Sequence, residues 1–194
     1  MNQRMTYRKT IISMMCATII CMTLPHTGSA QSGKTEVKFQ KLHLWKDFYT
    51  EAVAVPDVNR DGVKDILPGA RWFEGPDWKV HNIWEHAKFD YTKWYSDSYL
   101  NFATDVNDDG WVDLVVFDFP GKEVHWYENP KAKDQHWKKY LIDSTAANES
   151  PMLVDIDGDK KTELVFSDKK RGIMAAYSPI AKRGKVTWEE KVIS

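Results

Sequence analysis

A nine-residue pattern that occurs three times at nearly equal intervals limits what this chain can fold into more than any other feature. Asp57-Val58-Asn59-Arg60-Asp61-Gly62-Val63-Lys64-Asp65 returns as Asp105-Val106-Asn107-Asp108-Asp109-Gly110-Trp111-Val112-Asp113. It returns again as Asp155-Ile156-Asp157-Gly158-Asp159-Lys160-Lys161-Thr162-Glu163, at offsets of 48 and 50 residues. A period of this length marks a repeat architecture, in which each unit buries its faces against its neighbours.

The likeness extends past the acidic loops. Each is followed by a short apolar run (66–67, 114–117, 164–166) of the branched, turn-bounded kind that reads as a buried strand. A second strand ends in related phrases, Trp72-Phe73-Glu74-Gly75-Pro76 and Trp126-Tyr127-Glu128-Asn129-Pro130, with Ala176-Tyr177-Ser178-Pro179 as a weaker copy. After a polar turn, a third run follows at 78–83, 137–142 and 188–193. With the apolar residues just before each loop, every repeat has four short strands. Helical periodicity is nearly absent. Four strands in about fifty residues is the unit of a propeller blade, and a β-solenoid, whose coils are shorter, is the alternative.

The fold expected is therefore all-β: a partial β-propeller of three four-stranded blades, approximately 46–84, 95–143 and 148–194. Closed propellers hold roughly four to eight blades. Three blades would then be part of a larger ring of about seven, completed by missing blades or by self-association. Residues 37–44 read as an additional N-terminal strand.

The acidic loops have the composition of a hard-cation site. Side-chain oxygens at positions one, three, five and nine, with a main-chain carbonyl at seven, can converge on calcium, which accepts six to eight oxygens in a tolerant geometry. This gives the ligand sets Asp57, Asn59, Asp61, Val63, Asp65; Asp105, Asn107, Asp109, Trp111, Asp113; and Asp155, Asp157, Asp159, Lys161, Glu163. Glycine at position six, Gly62 or Gly110, permits the sharp turn. The third loop departs here, with Gly158 at four, Lys160 at six and Glu163 at nine, which predicts weaker binding. An EF-hand is disfavoured, because Pro68, Val116 and Phe166 stand where a bidentate Glu is required, and the flanks read as strands.

These motifs resemble the FG-GAP or VCBS-type repeat family, whose blades occur in integrin α-subunit propellers and in many bacterial exported proteins. The resemblance covers nearly all of residues 31–194. It implies a β-propeller with calcium held between the first two strands of each blade.

Residues 1–30 have the form of a secretory signal: Arg4, Arg8 and Lys9, then a mostly apolar stretch over 11–24, then Gly28-Ser29-Ala30. The apolar run is shorter than the ~20 residues of a spanning helix. A secreted or periplasmic protein is expected, spanning residues 31–194. Both cysteines, Cys16 and Cys21, fall inside the leader, so stability must come from core burial and metal rather than disulfides. Without the leader the chain is mildly acidic with scattered Lys and Arg, which leaves no nucleic-acid footprint.

Function in such a scaffold belongs to the loops at the end opposite the acidic ones. Segments entering each first strand bring Tyr49 and Glu51, Trp94, Tyr95 and Asp97, and Asn148 and Glu149 to similar places. These are the candidate ligand residues, and the aromatic-rich insert 86–99 is the preferred ligand-facing element. Most large aromatics are expected to pack blade on blade. The histidines form no metal motif. Two functions fit: a noncatalytic calcium-dependent binding or scaffold module for extracellular carbohydrate or protein, or a propeller-type polysaccharide lyase or sugar dehydratase using Glu149 with His125 or Tyr95.

Overall fold

The computed structural model describes residues 36–85, 87–147 and 149–194. The expected signal, residues 1–30, lies outside them. Among the described residues there is no helix, and so none long and apolar enough to cross a membrane. Residues 36–41 belong to a separate unit and are exposed. The strand expected over 37–44 does not form: Val37, Phe39 and Leu42 are exposed and no pairing is made there. A strand without a hydrogen-bonded edge beside it has nothing to hold it extended.

From residue 42 onward the architecture is antiparallel β, in a two-stranded and an eight-stranded sheet, with no closed barrel. The first repeat is the least regular. Ala54 bridges Leu67 and Ile66 bridges Phe73, followed by β1 (Arg71–Glu74) and β2 (Lys79–Asn82). Pro56 lies two residues after Ala54 and Pro68 directly after Leu67, and neither can donate to a ladder, so longer strands are blocked there. The second repeat is a meander of β3 (Leu100–Thr104), β4 (Asp113–Phe117), β5 (Lys122–Glu128) and β6 (Lys138–Ala146). The third repeats it with β7 (Met152–Val154), β8 (Glu163–Asp168), β9 (Ile173–Lys182) and β10 (Lys185–Val192). One residue pair, Ala146 with Asp168, joins the two meanders.

Each repeat packs face to face on the next, and β4 shows why its sequence is an unbroken apolar run. Leu114 and Val116 point to one side, into a cluster with Val58, Leu67, Trp72 and Ile83 of the first repeat. Val115 and Phe117 point to the other, into a cluster with Leu164, Phe166, Ala175 and Tyr177 of the third. A strand buried on both faces loses the polar alternation of a half-exposed one. Each such side chain contributes about 1.5–3 kcal/mol on burial.

The pairing registers make the repeats superimposable in sequence terms. Ile66 lies opposite Phe73, Leu114 opposite Tyr127 and Leu164 opposite Tyr177. Neighbouring loops also touch at fixed positions. The Arg60 guanidinium, position four of the first loop, lies over the Trp111 ring, position seven of the second, at 5.4 Å. Asp108, position four of the second, pairs with Lys161, position seven of the third, at 3.6 Å.

Candidate functional site

Each acidic loop joins the first two strand positions of its repeat and is organised by its own side chains. Asp57 accepts from the amides of Asp61 (3.1 Å) and Gly62 (2.9 Å), Asn59 from Asp61 (3.1 Å), and Asp61 from Val63 (2.8 Å). The second loop repeats this bond for bond: Asp105 from Asp109 (3.1 Å) and Gly110 (2.7 Å), Asn107 from Asp109 (3.1 Å), Asp109 from Trp111 (3.0 Å). In the third, Asp155 accepts from Gly158 (2.7 Å) and Lys160 (2.9 Å), Asp157 from Asp159 (3.3 Å), and Asp159 from Lys161 (2.7 Å).

The backbone explains the irregular third copy. Positions four and six are left-handed in all three loops: Arg60 and Gly62 (φ 63° and 87°), Asp108 and Gly110 (57° and 83°), Gly158 and Lys160 (85° and 75°). The third loop keeps the conformation and moves its glycine from one left-handed position to the other. Its carboxylates stay together, with ligand-type oxygens of Asp155, Asp157 and Asp159 all within 4.8 Å of one another.

Position nine is buried, unlike the other oxygen-bearing side chains of the loop. Asp65 and Asp113 are inaccessible to solvent and Glu163 nearly so. Asp65 accepts from the amides of Val58 (2.7 Å) and Gly75 (2.9 Å), Asp113 from those of Val106 (3.0 Å) and Asn129 (2.8 Å), and Glu163 from Ile156 (3.1 Å). In the first two repeats this residue therefore ties the loop to the end of the third strand. Burial, with Asp105 and Asp109 adding to it, pushes Asp113 up to about 7 despite both amide bonds. The donor set is oxygen only, crowded with negative charge and held in a preformed ring of turns. That composition fits a hard divalent cation, which would relieve the repulsion.

At the other end of the strands, the segment entering β3 and the β4–β5 turn come together. Trp94, Tyr95, Tyr99 and Phe119 form one aromatic cluster, with Tyr95 and Phe119 centroids 4.8 Å apart and Trp94 and Phe119 at 5.6 Å. Trp94 is 61% exposed and Tyr95 45%. A depression of about 280 Å³ beside them is lined by Phe48, Glu51 and residues 91–95. Crowding by the surrounding chain, together with Asp118 and Glu51, raises the Asp97 carboxyl above the usual range. Tyr99 is likewise raised, by loss of solvent and then by Glu149.

The residues anticipated at this rim divide. Trp94, Tyr95, Asp97 and Glu149 are solvent-facing. Glu51 is exposed but fixed, accepting from the Ser96 amide at 2.9 Å and from the Ser96 hydroxyl. Tyr49 is buried beneath the Arg71 guanidinium and packs the first repeat, so the structure takes it out of the ligand surface. Asn148 lies outside the described residues. His125 is buried on β5 and pairs with Glu123 at 3.1 Å. Sequence reasoning missed Asp118 and Phe119, although the Asp118-Phe119-Pro120-Gly121 turn signal was present.

Residues 105–166 match the family model described as FG-GAP-like repeat. No curated protein and no solved structure was found to match the chain. The matched segment runs from the second acidic loop into β8, the stretch in which one repeat passes to the next. Over residues 105–166 this chain is therefore similar to FG-GAP-type repeats.

Proposed function

We propose that this chain is an exported, noncatalytic binding module built on calcium-loop propeller blades, and that its ligand is an extracellular carbohydrate. The three blades are the repeats described above. The observation that carries the reading is the recurrence, in all three loops, of one backbone conformation in which the oxygen-bearing side chains of positions one, three and five fold back onto the loop's own amides. Calcium would be held by the side-chain oxygens of positions one, three, five and nine and the carbonyls of Val63, Trp111 and Lys161. Its contribution is to neutralise clustered carboxylates and stiffen each turn.

The carbohydrate assignment rests on the opposite end of the strands. Exposed aromatic faces of Trp94 and Tyr95 suit stacking on sugar rings, and Asp97, Asp118 and Glu149 supply acceptors for hydroxyls. At calcium a hundredfold above Kd, one site adds about 2.7 kcal/mol. Each kcal/mol moves the Tm of a domain this size by about 2–4 °C.

The test has two arms. Calcium should raise the melting temperature of the purified chain by at least about 5 °C over chelator-treated material; equal melting curves would sink the calcium reading. Affinity electrophoresis across a polysaccharide panel should show retardation that Trp94→Ala and Tyr95→Ala reduce at least about tenfold, the loss of roughly one stacking contact. Retention by a protein partner only, or by no glycan, would overturn the carbohydrate assignment.

A further inference from the structure

The Trp-aromatic-Glu phrases end in glutamates that reach back to the acidic loops. Asn59 Nδ2 donates to Glu74 Oε1 at 2.9 Å and to Asp61 Oδ2 at 3.0 Å. Only an amide NH2 can serve two carboxylate acceptors, so the Asn59 oxygen is turned the other way, into the loop, where it accepts from the Asp61 amide. The second oxygen of Glu74 is held in turn by His81 Nε2 at 2.8 Å. In the second repeat, Asn107 Nδ2 donates to Glu128 Oε1 at 3.4 Å, and Tyr140 OH holds Glu128 Oε2 at 2.7 Å. His81 and Tyr140 each stack on the cross-strand tryptophan, Trp72 or Trp126, which fixes the anchor.

The third repeat supplies the control. The strand register places Ser178 where Glu74 and Glu128 stand. The same repeat is the one with aspartate, Asp157, at position three. Asparagine in the loop goes with glutamate behind it, and aspartate in the loop goes with serine behind it. The negative charge that the third loop places on position three is, in the other two, one residue farther out. A carboxylate at position three facing Glu74 would set two like charges at hydrogen-bond distance, which is strongly unfavourable.

We infer that Glu74 and Glu128 are positioning residues that aim the side-chain oxygens of Asn59 and Asn107 at the cations of the first two loops. The inference rests on the calcium reading above. Outer partners of this kind typically change metal affinity by about 10–100-fold.

Isothermal titration of the full chain with calcium, supported by terbium luminescence, tests it. Glu74→Ala should weaken one class of site by at least about tenfold. Glu74→Gln, which keeps an acceptor for the Asn59 amide, should recover most of the loss. Asn59→Asp alone should also weaken binding, and Asn59→Asp combined with Glu74→Ser, the pairing of the third repeat, should restore it. A restored double variant cannot come from general damage to the fold. If the chain binds no calcium at all, the loop reading falls and this inference with it. If it binds, and either Glu74→Ala titrates as the parent or Asn59→Asp binds equally well with and without Glu74→Ser, the positioning role alone is wrong. Should Glu74→Ala not fold, the Asn59→Asp and Glu74→Ser cycle decides.

Discussion

Lys160 occupies a left-handed backbone position, φ 75°, that the other two loops give to glycine. Side chains pay about 1–2 kcal/mol for that conformation. Nothing lies within 4 Å of where a Cβ would sit at Gly62, so the glycine there answers to backbone angle and not to space. Lys160→Gly should therefore stabilise the protein by about 1 kcal/mol and Gly62→Ala should destabilise it by a similar amount. Urea midpoints with unchanged slopes would verify both. A shift of opposite sign for Lys160→Gly would mean that the third loop depends on its lysine. The nine-residue spacing made every loop residue legible in the sequence, but the meaning of the glycine shift was not. Seeing that positions four and six are equivalent in backbone angle requires the coordinates.

At the level of strands, the second and third repeats, which pack face to face, are also joined in the sheet by the single ladder pair between β6 and β8. Asp168, at the end of β8, concentrates the bonds there: it accepts from the Thr145 hydroxyl at 2.8 Å, from the amides of Lys170 and Arg171, and from Arg171 Nε. Arg171 also binds Glu190 on β10 and the Tyr177 hydroxyl. Burial alone would raise the Asp168 carboxyl, but Arg171 and Thr145 outweigh it and hold it at about 2. A carboxyl lowered on folding stabilises above its unfolded value of about 4. That stability is lost as pH falls from about 4 through about 2. Asp168→Asn should cost about 1–3 kcal/mol at neutral pH and flatten this acid limb. Chemical denaturation between pH 2 and 7 measures both, and an unchanged limb would exclude Asp168 as its source. The strands themselves were legible wherever branched apolar runs met turn residues, as in β4 and β8. The strand expected over 37–44 was not, because apolar alternation says nothing of whether an edge waits beside it. Asp168 and Arg171 carried no motif, and only the fold brings Thr145 and Glu190 to them.

Across the whole molecule, the face that the third repeat turns away from the second bears Met152, Met174 and Ile180, between 38% and 55% exposed. On the second repeat the equivalent face carries Val115 and Phe117 and is covered. A second copy of this chain seated there would continue the packing already present between repeats, which the state of the chain in solution tests. Light scattering should show mass rising with concentration, and Met174→Lys should return the chain to monomer. A monomer at every concentration would exclude this occupant. The threefold recurrence of the acidic motif could be read from the sequence, whereas which faces are covered could not, since the same apolar residues serve covered and open sides alike.

The contacts between adjacent loops bear on how such an array can grow. One joint is a guanidinium on an indole and the other a lysine with an aspartate, so each accepts its own neighbour and mismatches the other's. Shuffling the repeats would place Asp108 against Val63, or Arg60 against Lys161, and forfeit both locks. The last loop offers Gly158 at the same place, a blank key. These side-chain pairs therefore favour one order of the three loops over its permutations, and the third loop brings no side chain of its own to that place.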